Sequence, residues 1–436
     1  MTEHQLFLFL AEVAVLVIAA RFGGELALRF GIPQVVGELV VGICLGPSLF
    51  GALWAGGFHA LFPDDPTQRN LLEIIGWIGV IFLVIISGLE MRLDALRRAG
   101  RAVASGWLGG FSLPFVLGFG LGWLVPADLI GEGISRPVFA LFMATAMSIS
   151  AIPVIARIQL DLGLLKTRIG MVILSTATAD DTVGWIILAV VSGLASVAHR
   201  VDVPTVLTAS LGTAGFLVVA ATLGQRFVDW VLGHAVPLRL PFSQLTAILV
   251  LVFLGAAITQ SIHVHLVLGC FVTAILVARS PYLESSSVEA VRTIGMAFFV
   301  PFFFSYTGIK VDLTTVTGSA IPVAVAAVVV AYVGKLVGGG LGARLGGLPR
   351  WEAAAVGAGL NARGAMELVI AAVGLSIGVL TPAMFAIVVL IAATTTLTAA
   401  PMLKFCVRRQ EEVDALDPPA APATVVDRVA TSQDTP

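Results

Sequence analysis

The sequence predicts an all-α polytopic membrane protein with about thirteen transmembrane helices. Of its 436 residues, 58% are hydrophobic and 12% are charged, and the mean hydropathy is +1.00. Because a soluble domain carries about 25% charged residues, this composition excludes a soluble enzyme with a single membrane anchor. The apolar residues form continuous runs without period-two alternation, which also excludes a transmembrane β-barrel.

Windows of about 20 predominantly apolar residues mark the candidate spans. They lie roughly at residues 5–22, 33–50, 70–90, 102–125, 137–158, 167–197, 205–224, 243–259, 263–279, 290–308, 317–345, 352–376 and 382–406. The count depends most on the boundary between the eighth and ninth windows, near Ser261 and His265. Reading those two windows as one helix would remove a span and reverse the sidedness of everything after them.

The basic residues of the loops predict the orientation of these spans. If the N-terminus lies outside, about nineteen Lys and Arg residues fall in cytoplasmic loops and about four fall outside. The outside group is Arg69, Arg136, Arg200 and Lys310. Cytoplasmic loops carry an excess of Lys and Arg in membrane proteins, so the sequence predicts an outside N-terminus and a cytoplasmic C-terminus.

The chain divides into a membrane domain and a tail. Residues 1–407 hold all the predicted spans, and residues 408–436 are rich in Ala, Pro, Asp and Thr without a periodic apolar face. We expect this tail to be a disordered cytoplasmic segment. The net charge of −2 gives no indication of nucleic-acid binding. The three cysteines lie far apart and suggest neither a disulfide framework nor a metal-ligand spacing. No nucleotide-binding glycine motif occurs, and no cofactor is predicted.

Two adjacent carboxylates, Asp180 and Asp181, lie in the middle of the sixth span. Apolar runs, Met171–Leu174 and Ile186–Val191, flank the polar stretch that contains them. An Asp at the centre of a membrane helix costs about 2.5–3.5 kcal/mol on insertion scales. A charge kept at that cost usually faces a water-filled path, an ion or a charged partner. The pair therefore predicts a functional site.

The fifth span contains a proline and several hydroxyl side chains. Pro153 removes a backbone donor and disturbs the preceding turn. Hydroxyl side chains at Thr145, Ser148 and Ser150 can cover backbone groups freed by a break. The residues fit either a discontinuous helix or a simple proline kink, and they do not choose between the two.

The twelfth span is also a poor continuous helix, because its stretch Val356–Glu367 holds three glycines together with Asn361, Arg363 and Glu367. Arg363 and Glu367 are four residues apart, so they share a helix face and can form an ion pair. We favour a structural role for this pair, because charges inside a membrane usually satisfy one another first.

The two interrupted spans occupy corresponding positions in the two halves of the chain. That arrangement is typical of a transporter built from inverted repeats, with its site where the breaks cross. We expect this site to be lined by Thr145, Ser148, Ser150 and Asn361. Lys335 lies in the span before the second break, so inverted halves would bring it to the aspartates. One Asp beside this Lys would be neutralised, and the other would be left to bind either a proton or a cation. The alternative for Lys335 is snorkelling to the membrane surface.

Several motifs occur together in one order along residues 5–406. They are IPQVVGELVVGICLGPS at 32–48, ISGLEMRLD at 86–94, SISAIPVIARIQLDLGLLKTRIG at 148–170, ADDTVGWIILAV at 179–190, VGKLVGG at 333–339 and GLNARGAMELVI at 359–370. In these motifs the chain resembles the monovalent cation:proton antiporter superfamily. That superfamily contains NapA-type sodium/proton antiporters, Kef-type potassium efflux systems and plant cation/H⁺ exchangers.

The resemblance implies a thirteen-helix NhaA-like fold, usually a homodimer, with a dimerisation domain and a core domain that moves like an elevator. It implies that Asp181 binds the proton and the transported cation, and that Asp180 pairs with Lys335. Two aspartates with this lysine resemble the electrogenic branch. The residues AMSISAIP, at 146–153, are closer to the plant type, so the choice between Na⁺ and K⁺ stays open.

Taken together, these features predict a secondary antiporter that exchanges protons for Na⁺ or K⁺. The expected location is a bacterial plasma membrane, with the lipid bilayer as the surrounding medium. Two alternatives use the same scaffold: a cation channel or gated efflux pathway, and a sodium-coupled transporter of an organic anion. An enzyme is not expected, because no nucleophile–base pair or metal-ligand spacing is present.

Overall fold

The computed structural model describes residues 2–89, 100–165, 167–198, 212, 215–235, 241–262 and 265–416. Within these residues the chain is helical, apart from one isolated β-bridge between Ile130 and Leu380. At some positions inside the described helices, Asp181 and residues 192–198 among them, the description covers the backbone and not the side chain.

The first half of the described chain forms eight α-helices. They are α1 (Glu3–Arg29), α2 (Gln34–Leu45), α3 (Ala55–Leu61), α4 (Pro66–Leu89), α5 (Arg101–Leu124), α6 (Arg136–Ser148), α7 (Ile152–Asp161) and α8 (Arg168–Ala198). Nine more follow: α9 (Gln225–Ala235), α10 (Ser243–Ser261), α11 (Leu266–Ala278), α12 (Ser285–Ile294), α13 (Val300–Ile309), α14 (Ala320–Leu345), α15 (Arg350–Leu360), α16 (Ala365–Ser376) and α17 (Pro382–Leu416).

Among the described residues, nine helical stretches are long and apolar enough to cross a membrane, and two shorter apolar helices accompany them. The eighth and ninth predicted spans are separate helices, α10 and α11, which pack against each other. The total of thirteen spans stays a prediction, because part of the chain lies outside the description. A polytopic helical membrane protein is confirmed.

The fifth and twelfth predicted spans are each broken into two helices. The first break is extended backbone between Ser148 and Ile152, and Pro153 stands at the start of α7. Proline at that place costs little, because the first amides of a helix have no intrahelical acceptor. The discontinuous helix is therefore the correct interpretation, and the simple kink is wrong. The second break lies between α15 and α16, where Gly364 adopts a φ of 156° that other residues rarely adopt.

Glycines bring α5 and α14 into close contact. A Cβ atom added to Gly109 would collide with the backbone carbonyl of Gly338, and one added to Gly342 would collide with that of Ser105. Small residues at such crossings let the two backbones approach, which is how membrane helices gain van der Waals contact. This contact fixes the position of α14, the helix that carries Lys335.

The last helix extends beyond the predicted end of the membrane domain. Helix α17 continues past residue 407 to Leu416, so the expectation of disorder is wrong for residues 408–416. The charges there support a helix, because Arg409 Nη1 lies 2.9 Å from Glu412 Oε2, one turn further on. The remainder of the predicted tail, residues 417–436, lies outside the described residues.

The contact between α5 and α14 predicts a selective loss of stability. We expect Gly109→Leu to lower the free energy of unfolding by about 1–3 kcal/mol, because the larger side chain must push the two backbones apart. Gly120→Leu, in the same helix, is the matched control, since a Cβ there meets no atom within 4 Å. Thermal unfolding of the purified proteins in detergent measures both. Equal losses in the two variants would contradict this account of the contact.

Candidate functional site

The two broken helices meet at their breaks. The backbone amide of Ala151 donates to the carbonyl of Ala362 at 3.2 Å, which links the first break to the second. The Ser150 hydroxyl lies 3.0 Å from the carbonyl of Leu360, the last residue of α15. Irregular backbone inside a membrane requires such internal partners, because lipid offers none. At the crossing, some hydrogen-bonding groups of each break therefore find their partners in the other break.

Asp180 and Lys335 form an ion pair at this crossing. Lys335 Nζ lies 2.7 Å from Asp180 Oδ2, and both side chains are 0% exposed. The same ammonium group donates to the carbonyl of Ser148, at the end of α6. The Ser150 hydroxyl is 2.8 Å from Asp180 Oδ2, and its single proton serves either that oxygen or the Leu360 carbonyl. The buried position of Lys335 excludes snorkelling.

Arg363 connects the second break to the end of α6. Its guanidinium donates from Nη1 to the Ala146 carbonyl at 2.9 Å and from Nη2 to the Met147 carbonyl at 2.5 Å. Nη1 also lies 3.0 Å from Glu367 Oε1, and both side chains are almost fully buried. A cation at this place complements the free carbonyls at the C-terminal end of α6. Arg363 and Glu367 thus hold the two breaks together.

Two predicted lining residues direct their hydroxyl groups into their own helix. Thr145 Oγ1 donates to the Leu141 carbonyl at 2.8 Å, and Ser148 Oγ donates to the Ala144 carbonyl at 2.7 Å. Each bond joins residues four apart, a common pattern for hydroxyl side chains inside helices. Ser148 reaches the charged cluster through its backbone carbonyl, and Ser150 is the residue whose hydroxyl contacts it.

Asn361 lies in the second break and is fully buried, but neither atom of its amide has a hydrogen-bond partner among the described residues. The same is true of Asp180 Oδ1 and of the hydroxyl of Thr176, which is also fully buried. Buried polar atoms without partners are rare in proteins and mark places for water, an ion or a ligand. Sequence reasoning missed Thr176, although it lies one helical turn before Asp180.

Thr396 is a second residue that sequence reasoning missed. Its hydroxyl donates to the carbonyl of Arg363 at 2.5 Å, which joins α17 to the second break. The signal was present, because Thr396 belongs to a run of threonines, Thr394–Thr398, inside an otherwise apolar span. Nothing in that run shows which hydroxyl faces the break, since that depends on how α17 is rotated.

The charges described at the crossing cancel. Asp180 and Glu367 supply two carboxylates, and Lys335 and Arg363 supply two cations. Asp181 follows Asp180 in α8 and is a further carboxylate in the sequence of that helix. Its side chain lies outside the described residues, so the structure gives its place in the helix and no contacts. The sequence thus adds one carboxylate to a neutral set of four charges.

Comparison with known proteins identifies the family. Residues 13–409 match the sequence model of a family described as "Sodium/hydrogen exchanger, transmembrane". The chain belongs to this family. It is an integral membrane protein, and membership of the monovalent cation:proton antiporter superfamily, which the sequence motifs indicated, is confirmed.

Several relatives of this chain are named as antiporters. The Na(+)/H(+) antiporter NhaS4 of Synechocystis is 33% identical over 92% of this chain and 98% of its own length. The Na(+)/H(+)-K(+) antiporter GerN of Bacillus cereus is 31% identical over 92% and 96%. Cation/H(+) antiporter 17 of Arabidopsis thaliana is 30% identical over 92% of this chain and 48% of its own length. The chain therefore spans about half of that plant relative.

A solved structure shares the fold. The sodium proton antiporter MjNhaP1 from Methanocaldococcus jannaschii matches with a TM-score of 0.60 over 92% of this chain and 96% of that one, at 16% sequence identity. Together with the crossed broken helices described above, this match confirms the predicted fold class. The relatives are transporters and not enzymes.

The bonds of Arg363 predict a large effect of its removal. We expect Arg363→Ala to lower the free energy of unfolding by about 3–5 kcal/mol, because it leaves Glu367 and two carbonyls buried without a partner. Arg409→Ala is the control, since its ion pair with Glu412 is half exposed and should contribute less than about 1 kcal/mol. Chemical or thermal unfolding in detergent compares the two. Similar losses would show that Arg363 does not clamp the breaks.

Proposed function

We propose that the chain is a secondary antiporter that exchanges protons for a monovalent cation, Na⁺ or K⁺, across the membrane. The observation that carries the proposal is the buried Asp180–Lys335 ion pair at the crossing of the two broken helices. With Arg363 and Glu367 it makes a neutral set, to which the sequence adds Asp181. A carboxylate added to balanced charges needs a mobile counter-charge, and a proton or a cation supplies it.

In this proposal Asp181 binds the proton and the cation in turn, and never both. A cation entering the site loses part of its hydration shell, so it needs oxygen ligands besides one carboxylate. At the crossing, the Asn361 amide, Asp180 Oδ1 and the Thr176 hydroxyl have no hydrogen-bond partner within the described part of the chain. We propose that they contribute to cation binding. The small size of these groups favours an inorganic cation over an organic anion.

Asp180 and Lys335 have a different proposed role. Their ion pair keeps a fixed charge balance beside the binding carboxylate. One proton exchanged for one monovalent cation at Asp181 moves no net charge, so the electrogenic cycle that is proposed from the family resemblance requires an additional proton for each cation. Movement would be of the elevator type, in which a core domain containing α6–α8 and α14–α16 carries the site across the membrane.

The remaining parts of the proposal concern assembly and location. We propose a homodimer, with the membrane domain divided into a core and a dimerisation subdomain and followed by a cytoplasmic tail. The orientation proposed from the loop charges has the N-terminus outside and the C-terminus in the cytoplasm. The proposed location is a bacterial plasma membrane. Among the relatives, GerN is named for both Na⁺ and K⁺, so both cations belong in the first test.

The proposed role of Asp181 predicts complete loss of exchange in Asp181→Asn, because the amide can bind neither a proton nor a cation by charge. Reconstituted vesicles carrying a pH-sensitive dye measure this on addition of Na⁺, K⁺ or Li⁺ across a range of pH. Gly120→Leu is a control for reconstitution, since the side chain added there meets open space. Cation flux without a pH change in the parent protein would indicate a channel. Unimpaired exchange by Asp181→Asn would exclude the carboxylate mechanism.

The proposed role of Asp180 predicts a milder effect that appears in charge coupling. Asp180→Asn should retain exchange at a reduced rate, and the charge moved per cation should change because Lys335 loses its fixed partner. The measured quantity is the reversal potential, the membrane potential at which net exchange stops. It is determined in vesicles whose membrane potential is set to several known values. The double variant Asp180→Asn, Lys335→Gln is the charge-neutral comparison. An unchanged reversal potential in both variants would remove the ion pair from the coupling mechanism.

A further inference from the structure

A small cavity lies away from the crossing, between α4 and α13 on one side and α16 and α17 on the other. Its volume is about 20 Å³, and its charged residues are Glu73 near the start of α4 and Lys310 just after the end of α13. The opposite wall includes Ala372 of α16 and Phe385 of α17. A cavity of this size holds about one water molecule, so it also has room for one small ion.

Glu73 and Lys310 form a loose ion pair. Lys310 Nζ lies 3.6 Å from Glu73 Oε1, and the two side chains are 30% and 35% exposed. This distance is longer than a hydrogen bond, so the carboxylate keeps unused capacity to accept another ligand. Lys310 has a second partner, because its Nζ lies 4.5 Å from the centre of the Tyr306 ring. The ammonium group can therefore leave Glu73 without losing every favourable contact.

Tyr306 supplies an independent sign of a ligand in this cavity. Its side chain lines the cavity and is only 6% exposed. Its hydroxyl has no hydrogen-bond partner among the described residues. A buried hydroxyl without a partner is costly, and in native proteins it usually contacts a water molecule or an ion. The oxygen of Tyr306 and the carboxylate of Glu73 are both ligands that alkali cations accept.

Carboxylates outnumber basic groups near the start of α4, where Arg69 lies 3.8 Å from Asp64 and offsets part of their charge. Asp64 and Asp65 lie just before α4, and Glu12 of α1 is buried beside them through its bond with Gln68. The hydrogen bond from Gln5 is the largest cause that holds the pKa of Asp65 below its usual range, so this carboxylate stays ionised at neutral pH. A concentration of carboxylates at a cleft raises the local concentration of positive ions.

One helix, α16, contributes to the cavity wall and also adjoins the crossing. Helix α16 begins at the second break, next to Arg363 and Gly364, and runs from there to Ala372 in the cavity wall. The walls of the cavity thus belong to two sets of helices. Helix α16 leads to the site, α13 packs against α16, and α4 contributes residues to the opposite wall. An ion held between the two sets would be positioned beside the helix that begins at the crossing.

We propose that Glu73 is a loading site for the transported monovalent cation, at which the cation takes the place of the Lys310 ammonium group. This inference rests on the proposed exchange function and adds a second binding site to it. In the empty site Lys310 stands in for the cation, since it carries the same charge. On loading, Lys310 moves away from Glu73 and keeps its contact with the face of the Tyr306 ring, while the Tyr306 hydroxyl and the Glu73 carboxylate bind the ion.

The test compares Glu73→Gln and Lys310→Gln in vesicles of both orientations, with Na⁺ and K⁺ as the probes. Glu73→Gln should raise the KM for the cation roughly 5-fold on the face that holds Glu73, with little change in the maximal rate. Lys310→Gln should lower the KM on that face, because it removes the competing charge. Glu25→Gln is the control, as it removes a carboxylate from the exposed Glu25–Arg29 ion pair, 3.2 Å in length.

The outcomes separate this proposal from the proposed function. Exchange in the parent protein with the same KM in Glu73→Gln and Lys310→Gln would overturn the loading site and leave the antiporter intact. Equal changes on both faces would overturn it too, because they would show an effect on the whole transporter. If Glu73→Gln does not fold, the direction of the KM change in Lys310→Gln decides. A parent protein without exchange would contradict the antiporter itself, and with it the loading site.

Discussion

Burial of the Asp180–Lys335 ion pair is the constraint on which the arrangement of helices depends. Removing each charge from water costs several kcal/mol, and attraction between the two offsets this only when their other hydrogen-bonding sites are also satisfied. The Ser148 carbonyl and the Ser150 hydroxyl satisfy part of them here, while Asp180 Oδ1 has no partner among the described residues. An unbroken α6 would have used that carbonyl within the helix, so the buried ion pair and the break in the fifth span require each other.

The second break depends on the first, because its charged residues are held by carbonyl groups at the end of α6. Arg363 binds two carbonyls that α6 leaves free at its end, and Glu367 balances its charge. Each break therefore supplies partners for the other, as it must where no water is present. The close contact of α5 and α14 places Lys335 at this crossing, and it is made possible by Gly109 and its glycine neighbours. The position of Lys335 therefore depends both on helix packing through small residues and on the pairing of buried charges.

Much of this architecture could be predicted from sequence, because charges and helix breakers are rare in apolar spans. Asp180, Lys335 and Arg363 stand out for that reason alone. Which aspartate pairs with Lys335 did not follow from the residues, since neighbours on a helix point about 100° apart and either could face α14. Family resemblance indicated Asp180. Contacts between distant segments, such as Thr396 with the second break, depend on helix rotation, which a sequence pattern does not give.

The two Lys–carboxylate pairs of this chain differ in ways that fit different proposed roles. The Asp180–Lys335 pair is 2.7 Å long and fully buried, so separating it would leave two uncompensated charges in the interior. The Glu73–Lys310 pair is 3.6 Å long and partly exposed, and its lysine has an aromatic ring as a second partner. Water screens that pair, and its separation costs little. A pair that is costly to separate suits a fixed charge beside a transport site. A pair that separates easily suits a place where an arriving cation replaces an ammonium group.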